Sequence, residues 1–152
     1  MALLPPDTGE LVLRLVAAAA FGAGIGIDRE VRGKPAGMRT HALVSLGAAL
    51  VILVTVRVAP QTYEHVDALS RVIQGIIAGV GFLGGGAILK SAESVHGLTT
   101  AASIWFVAAL GATCGVGQWL AALIAVGLAF LILIGGVSAE KIVRRLFGPH
   151  EP

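Results

Sequence analysis

The sequence predicts an all-α integral membrane protein with five transmembrane helices. Of the 152 residues, 56% are hydrophobic and only 13% are charged, and the mean hydropathy is +0.88. So few polar side chains could not cover a water-soluble protein of this size. A helix needs about 20 mostly apolar residues to cross the hydrocarbon core of a bilayer. Five apolar stretches approach that length, at residues 11–27, 41–58, 72–89, 98–114 and 119–137.

The first apolar stretch follows a segment without basic residues or a cleavage pattern, so we expect it to remain as a membrane span. The connection after this span carries four basic residues, whereas the connection between spans four and five carries none. Because basic loops stay in the cytoplasm, the N-terminus is predicted to lie outside and the C-terminus in the cytoplasm. We therefore divide the chain into a five-span membrane domain, 1–137, and a short basic cytoplasmic tail, 138–152.

Small residues predict which spans pack closely, because helices in lipid associate through close backbone approach. Spans one, three and four are rich in glycine and are expected to form the interior of the bundle, with span five facing lipid. The glycines assigned to helix packing are Gly22, Gly26, Gly75, Gly79, Gly84 and Gly86.

A weak internal repeat appears when the chain is shifted by 60 residues. Gly26 then falls on Gly86, Gly37 on Gly97, and Thr40 on Thr100. This repeat predicts two parallel helix hairpins related by an axis along the membrane normal, with the fifth helix added outside.

The connection after span one contains the main polar cluster. Asp28 and Glu30 follow the end of a helix, where the macrodipole disfavours negative charge. They either form structural ion pairs with Arg29, Arg32 and Arg39, or they offer oxygens to a hydrated magnesium ion, which needs only one or two carboxylates. Both interpretations are open at this point.

Four polar residues near the starts of spans two and four extend this cluster. Thr40 is placed to cap span two, and Thr99 or Thr100 to cap span four. His41 is either a proton sensor, since its charge changes near neutral pH, or a simple hydrogen-bonding residue at a helix start.

Arg14 lies inside span one, near its outer end, and Gln74 occupies the repeat-related position in span three. A charged residue within the membrane is costly and is a functional candidate by default. Arg14 is expected either to extend towards the outer headgroups or to pair with a buried residue such as Gln74.

Several functions are disfavoured by the residues that the chain lacks. No Asp or Glu occurs within the five apolar stretches, which argues against a cation pore through one copy. No zinc-ligand spacing and no nucleophile motif is present, so we predict that the protein is not an enzyme. The basic residues lack interleaved aromatics, which disfavours nucleic acid as a partner. The single cysteine, Cys114, excludes an intrachain disulfide.

Three segments resemble the membrane domain of the MgtC/SapB family. They are GIDREVRGKPAGMRTHALVSLGAAL at 26–50, GVGFLGGGAILK at 79–90 and VHGLTTAASIWFVAALG at 95–111. The resemblance implies a five-span protein of the bacterial inner membrane, linked to magnesium limitation or stress adaptation. For the virulence-related branch it implies regulation of F-type ATP synthase through the membrane sector of that complex.

The resemblance also implies a functional surface, and the residues that match it are Asp28, Arg29, Glu30, Gly37, Arg39 and Thr40. Two positions depart from the virulence members, which can carry asparagine at Thr99 and cysteine at Phe106. Those members also continue into a soluble domain, whereas this sequence is read as a short member that ends after a basic tail.

The sequence thus favours a non-enzymatic membrane regulator that engages another ion-handling complex. One alternative is a permease for magnesium or another cation, assembled as a homo-oligomer with the path between copies. A third class is a small structural or lipid-organising bundle. No cofactor is predicted apart from the magnesium ion considered at Asp28 and Glu30.

Overall fold

The computed structural model describes residues 7–58, 63–90 and 94–147, with the backbone alone at 63–65, 89–90 and 137–147. Five helices account for nearly all of the described chain, and a short pair of strands joins the third to the fourth. In chain order the elements are α1 Thr8–Val31, α2 Met38–Val58, α3 Tyr63–Gly86, β1 Leu89–Lys90, β2 Val95–His96, α4 Leu98–Val116 and α5 Trp119–Phe147.

All five helices are long and apolar enough to cross a membrane, which confirms the predicted fold class. The largest differences from the predicted spans are at α3 and α5. The helix α3 begins at Tyr63, nine residues before the predicted start of span three, since its first turns are polar. The helix α5 continues to Phe147, so much of the segment predicted as a tail extends the fifth helix.

The connection between α3 and α4 contains an antiparallel pair of two-residue strands that the sequence analysis did not predict. Leu89 pairs with His96, and Lys90 pairs with Val95. The pair ends at Gly97, which has a φ of 88° and directly precedes α4. A left-handed backbone favours glycine at this position.

The core of the bundle is formed by α1, α2 and α4. About 56% of the membrane-spanning part of α4 is buried, against 6% for α3. Three fully buried small side chains, Ala18, Ala49 and Cys114, meet at the centre of the three helices. The helices α3 and α5 pack on the outside of this core, α3 mainly against α4.

Glycines allow the three core helices to approach each other closely. A Cβ atom added at Gly22 would lie 2.5 Å from the carbonyl oxygen of His41, and one at Gly26 would lie 2.6 Å from the Cα of Met38. A Cβ at Gly111 would overlap the backbone of Ser45. Gly22 and Gly26 therefore bring α1 against α2, and Gly111 brings α4 against α2.

The prediction that span three belongs to the interior of the bundle is wrong, because α2 occupies that place. A Cβ added at Gly75, Gly79 or Gly86 would meet no atom within 4 Å, so these glycines are not needed for a close approach of two helices in the described chain. Only Gly84 of the predicted α3 set faces a neighbour, with Ala101 at ordinary van der Waals distance. Glycine content alone does not show which face of a helix is buried.

The predicted internal repeat agrees with the helix starts but not with the packing. The helices α2 and α4 begin at Met38 and Leu98, which are 60 residues apart. However, Gly26 lies against α2, whereas the repeat-related Gly86 has open space around it. The relation between two parallel hairpins stays a prediction.

Candidate functional site

A buried row of polar side chains connects the three core helices at the end of the bundle that carries the α1–α2 connection. Arg29 of α1 donates from Nη2 to Thr100 Oγ1 of α4 at 2.7 Å. Ser103, one turn along α4, lies with its Oγ 2.9 Å from His41 Nε2 of α2, and His41 Nδ1 lies 3.0 Å from the carbonyl oxygen of Gly37. These four side chains are buried, with at most 6% of any of them exposed.

The number of polar hydrogens in this row limits how many of its hydrogen bonds can form at once. The carbonyl oxygens of Gly37 and Thr100 can only accept, and Ser103 Oγ donates to that of Thr100 at 2.8 Å. Three contacts join these groups: the Gly37 carbonyl with His41 Nδ1, His41 Nε2 with Ser103 Oγ, and Ser103 Oγ with the Thr100 carbonyl. A neutral imidazole and one hydroxyl supply two hydrogens, whereas an imidazolium would supply all three. If neutral His41 carries its hydrogen on Nδ1, the Ser103 proton is shared between His41 Nε2 and the Thr100 carbonyl. If it carries the hydrogen on Nε2, His41 donates to Ser103 Oγ, and no hydrogen lies between Nδ1 and the Gly37 carbonyl.

Arg29 lies in an unusual position for a charged residue, because it is only 5% exposed. Its Nη2 donates a hydrogen bond to Thr100 in the first turn of α4, and its buried Nε has no hydrogen-bond partner. The N-terminal end of α4 carries the positive end of that helix's dipole, whereas Arg29 itself lies in the last turn of α1, where the negative end of the α1 dipole favours its charge. Arg29 thus lies between the negative end of the α1 dipole and the positive end of the α4 dipole.

The two acidic residues in the last turn of α1, Asp28 and Glu30, have separate partners. Asp28 Oδ1 accepts from Arg32 Nε at 2.8 Å, within the same helix end. Glu30 Oε2 accepts from the backbone N–H of Met38 at 3.0 Å. Because Met38 is the first residue of α2, this carboxylate satisfies a free N–H at the positive end of that helix.

The predicted magnesium site at Asp28 and Glu30 stays a prediction. Each carboxylate has the protein partner described above, and Asp28 Oδ2 is buried without a partner. Within the described residues, no group of three or more His, Cys, Asp and Glu side chains could hold a metal ion.

The predicted capping residues do not have capping positions. Thr40 lies inside the first turn of α2, which begins at Met38, and the N-cap of α4 is Gly97 without a side-chain hydrogen bond. Arg39, Thr40 and Thr99 are exposed on the surface of the bundle, whereas Thr100 joins the buried row.

Arg14 lies at the opposite end of the bundle and does not pair with Gln74. It forms an ion pair with Glu10 on the same helix, and its Nη1 donates to the carbonyl oxygen of Gly115 at 2.8 Å. Gln74 is exposed and contacts Ser70 instead. Arg14 thus supplies positive charge at the C-terminal end of α4, where the helix dipole favours it.

Ser103 and the burial of Arg29 were not predicted from the sequence. The spacing of polar residues along a helix could have indicated Ser103, because Thr100 and Ser103 lie three residues apart and therefore on one face of α4. His41 and Ser45 likewise share one face of α2. Both pairs combine polar residues on a face that is otherwise small and apolar, as expected for polar contacts between helices in lipid.

Comparison with known proteins gives one family match, to the MgtC family over residues 15–142. Protein SrpB of Synechococcus elongatus is 44% identical, over 87% of this chain and 78% of its own length. Protein MgtC of Salmonella typhimurium is 38% identical, over 89% of this chain and 54% of its own length. A protein of Escherichia coli named "Putative magnesium transporter YhiD" is 40% identical, over 74% of this chain and 54% of its own length.

The match to the MgtC and YhiD relatives is therefore confined to about half of their length. No solved structure matches this chain.

Proposed function

The chain belongs to the MgtC family, and from that premise we propose that it regulates another ion-handling complex of the bacterial inner membrane. The proposed complex is one such as F-type ATP synthase, and the role serves magnesium homeostasis or stress adaptation without enzymatic activity. In the proposed orientation the N-terminus is outside, and the α1–α2 connection and the C-terminus are in the cytoplasm. The surface around Asp28, Glu30, Arg39 and Thr40 then faces the cytoplasm, with Arg29 buried behind it.

The main support for this proposal is the close packing of the core between Arg14 at one end and Arg29 at the other. Arg14 and Arg29 lie 15 residues apart on α1, or about 22 Å along the helix axis. Between them, the fully buried Ala18, Ala49 and Cys114 fill the centre of α1, α2 and α4. A cation path needs carbonyls, carboxylates or water along its length. This apolar centre supports a role that does not conduct ions through one copy.

The exposed face of α3 supports a role in contacting another membrane protein. Gly75 and Gly79 are exposed with open space around them, and Phe82 is 85% exposed on the same helix. Small residues let a second helix approach closely in lipid, and a nearby aromatic adds contact area. We propose that the partner complex packs against this face.

Affinity capture from native membranes tests this proposal with two matched variants. Gly79→Leu places a bulky side chain on the proposed contact face, and Gly127→Leu makes the same change on α5, where a Cβ also meets open space. Neither change is expected to disturb the fold of one copy. We expect a defined ion-handling complex with the unchanged protein and Gly127→Leu, and its loss with Gly79→Leu. Equal capture by all three, or no complex with any, would contradict the proposal.

A cation permease is the second candidate, and the unpartnered Asp28 Oδ2 favours it. A path between copies of a homo-oligomer would not need a polar centre in each copy. Magnesium uptake into liposomes containing the purified protein distinguishes the two functions. Uptake above that of empty liposomes and its loss in Asp28→Asn would support the permease, and uptake equal to that of empty liposomes would exclude it.

A further inference from the structure

The buried polar row has a hydrogen for each of its contacts only when it holds one more proton than its neutral side chains supply. It runs from the carbonyl oxygen of Gly37, at the end of the α1–α2 connection, through His41 and Ser103 to the carbonyl oxygen of Thr100 in α4. The three contacts measure 3.0, 2.9 and 2.8 Å, and each is short enough for a hydrogen bond. Neutral His41 and Ser103 have two hydrogens for these three contacts. Protonated His41 completes all three.

The tautomer of neutral His41 decides which contact is weakened. With the hydrogen on Nε2, two acceptors face each other between Nδ1 and the Gly37 carbonyl. With the hydrogen on Nδ1, the connection stays bonded to α2, but the shared Ser103 hydrogen weakens the link to α4. In either tautomer, the α1–α2 connection is tied through α2 to α4 less firmly than when His41 is protonated.

The charge that opposes a proton on His41 comes from Arg29 of α1. Arg29 is buried and donates to the same residue of α4 that ends the row, and two positive charges close together in a buried site repel each other. The carboxylates of Asp28 and Glu30, at the same end of α1, are each bound to the partner described above. The helix α4 and residues 75–86 of α3 contain no charged residue. Proton binding therefore depends on the balance between the completed hydrogen bonds and the charge of Arg29.

We propose that His41 and Ser103 form a proton-binding switch that fixes the α1–α2 connection to α4 at acid pH and loosens it when the proton leaves. The only covalent change is one N–H bond on the imidazole. The bond from the Met38 N–H to Glu30 does not involve His41, so the connection is loosened without being detached. The effect of this change on a partner complex rests on the proposed function, whereas proton binding does not.

Nitrogen-15 NMR of the imidazole rings tests the proposal with the purified full chain in detergent micelles. We expect the His41 ring to change from neutral to protonated between about pH 8 and pH 4. His41→Gln identifies the resonance by removing it, and the exposed His96 of the α3–α4 connection is the internal control. A His41 resonance that does not change over this range, while that of His96 does, would overturn the proposal.

Two substitutions in the row should shift this titration in opposite directions. Arg29→Gln removes the opposing charge, so the pH midpoint of His41 should rise by at least about half a unit, or about threefold in proton affinity. Ser103→Ala removes the acceptor for the Nε2 hydrogen, so the midpoint should fall by a similar amount. Arg39→Gln removes an exposed charge at the same end of the bundle and should have little effect, because solvent screens it. Circular dichroism and gel filtration check that each variant is folded.

A shift of both row variants in the same direction, or midpoints equal to that of the unchanged protein, would contradict the assigned contacts.

Hydrogen exchange measures whether the proton also fixes the α1–α2 connection. The backbone amides of residues 32–40 are followed at pH 5 and pH 7.5, and each rate is corrected for the intrinsic effect of pH. We expect at least about threefold more protection at pH 5 in the unchanged protein, and no such difference in His41→Gln. Ser103→Ala should also lose the difference, and it serves as the test if His41→Gln does not fold.

A difference in protection that persists in the folded variants, or that is absent from the unchanged protein, would overturn the proposal. Failure to capture a partner complex from membranes, together with the expected titration and protection, would contradict the proposed function alone.

Discussion

Substitution of Gly22 by alanine should destabilise the protein although it adds only one methyl group. The new Cβ would lie 2.5 Å from the carbonyl oxygen of His41 and 2.8 Å from the Cβ of Ser45. Ordinary van der Waals contact begins near 3.4 Å, so α1 and α2 would have to separate by about 0.9 Å. A gap of that size forfeits about a quarter to a half of each contact's dispersion energy along the seam.

Overpacking of this kind costs about 1–3 kcal/mol, and the higher helix propensity of alanine returns up to about 1 kcal/mol. Because the nearest atom belongs to the backbone and cannot rotate away, we expect the cost to be at the upper end. The predicted net loss is about 2 kcal/mol in the free energy of unfolding. It is measured by reversible unfolding in mixed micelles with increasing sodium dodecyl sulfate.

Gly24→Ala is the matched control, two residues away on the same helix. Its Cβ would meet Phe130 at 3.6 Å, which is ordinary contact, so this variant should be as stable as the unchanged protein or more stable by up to about 1 kcal/mol. If Gly22→Ala were no less stable than Gly24→Ala, the close approach of α1 and α2 described above would be refuted.

Three further substitutions test individual polar contacts by the same unfolding measurement. Ser103→Ala leaves His41 Nε2 without a partner in a buried position and should lower the free energy of unfolding by about 1 kcal/mol. Arg14→Met removes the charged donor to the Gly115 carbonyl and should cost about 1.5–3 kcal/mol. Glu30→Ala frees the first N–H of α2 and should cost about 0.5–2 kcal/mol, whereas Glu30→Gln, which retains an acceptor oxygen, should cost less.

Exposed residues of the same types provide the controls. Ser70→Ala and Arg71→Met lie on the surface of α3 and should each change stability by less than about 0.5 kcal/mol. If Ser103→Ala or Arg14→Met had effects as small as these, the corresponding buried hydrogen bond would not contribute to stability. For Glu30, equal losses in the alanine and glutamine variants would contradict its role at the start of α2.

Composition and hydropathy predicted the number and approximate position of the membrane helices, because a bilayer sets both the length and the polarity of a spanning helix. The same patterns could not place the start of α3 at Tyr63, since a helix can extend beyond the bilayer into polar sequence. Nor could they predict that α5 continues to Phe147.

Which helices are buried in the core was harder to predict than the positions of the helices in the sequence. The helix α3 has more glycines than α2, yet Gly75 and Gly79 face outwards, while α2 offers Ala48 and Ala49 to the core. A helix surface of small residues can pack within one copy or against another protein, and a single sequence does not distinguish these uses. The choice depends on the shape of all the helices together.

The candidate site was predicted in part. The sequence indicated Arg29, His41 and Thr100 as polar residues of interest, but it placed Arg29 with the exposed charges near the membrane surface. The contact between Arg29 and Thr100 joins residues 71 positions apart in the chain. Pairing over such a separation depends on how α1 and α4 cross, which local sequence patterns do not specify.

The orientation of the α1–α2 connection is the most direct test of the account, because it decides which side of the membrane the proposed functional surface faces. Lys34 is exposed in this connection, and the natural Cys114 is fully buried. Lys34→Cys should therefore supply the one thiol that a membrane-impermeant maleimide reaches. Gln118→Cys, exposed in the α4–α5 connection, is the control on the other side.

We predict that Lys34→Cys stays unlabelled in intact spheroplasts and is labelled in inverted membrane vesicles, while Gln118→Cys shows the reverse. Labelling of Lys34→Cys from outside intact spheroplasts would place the basic connection on the wrong side of the membrane and would contradict the proposed function.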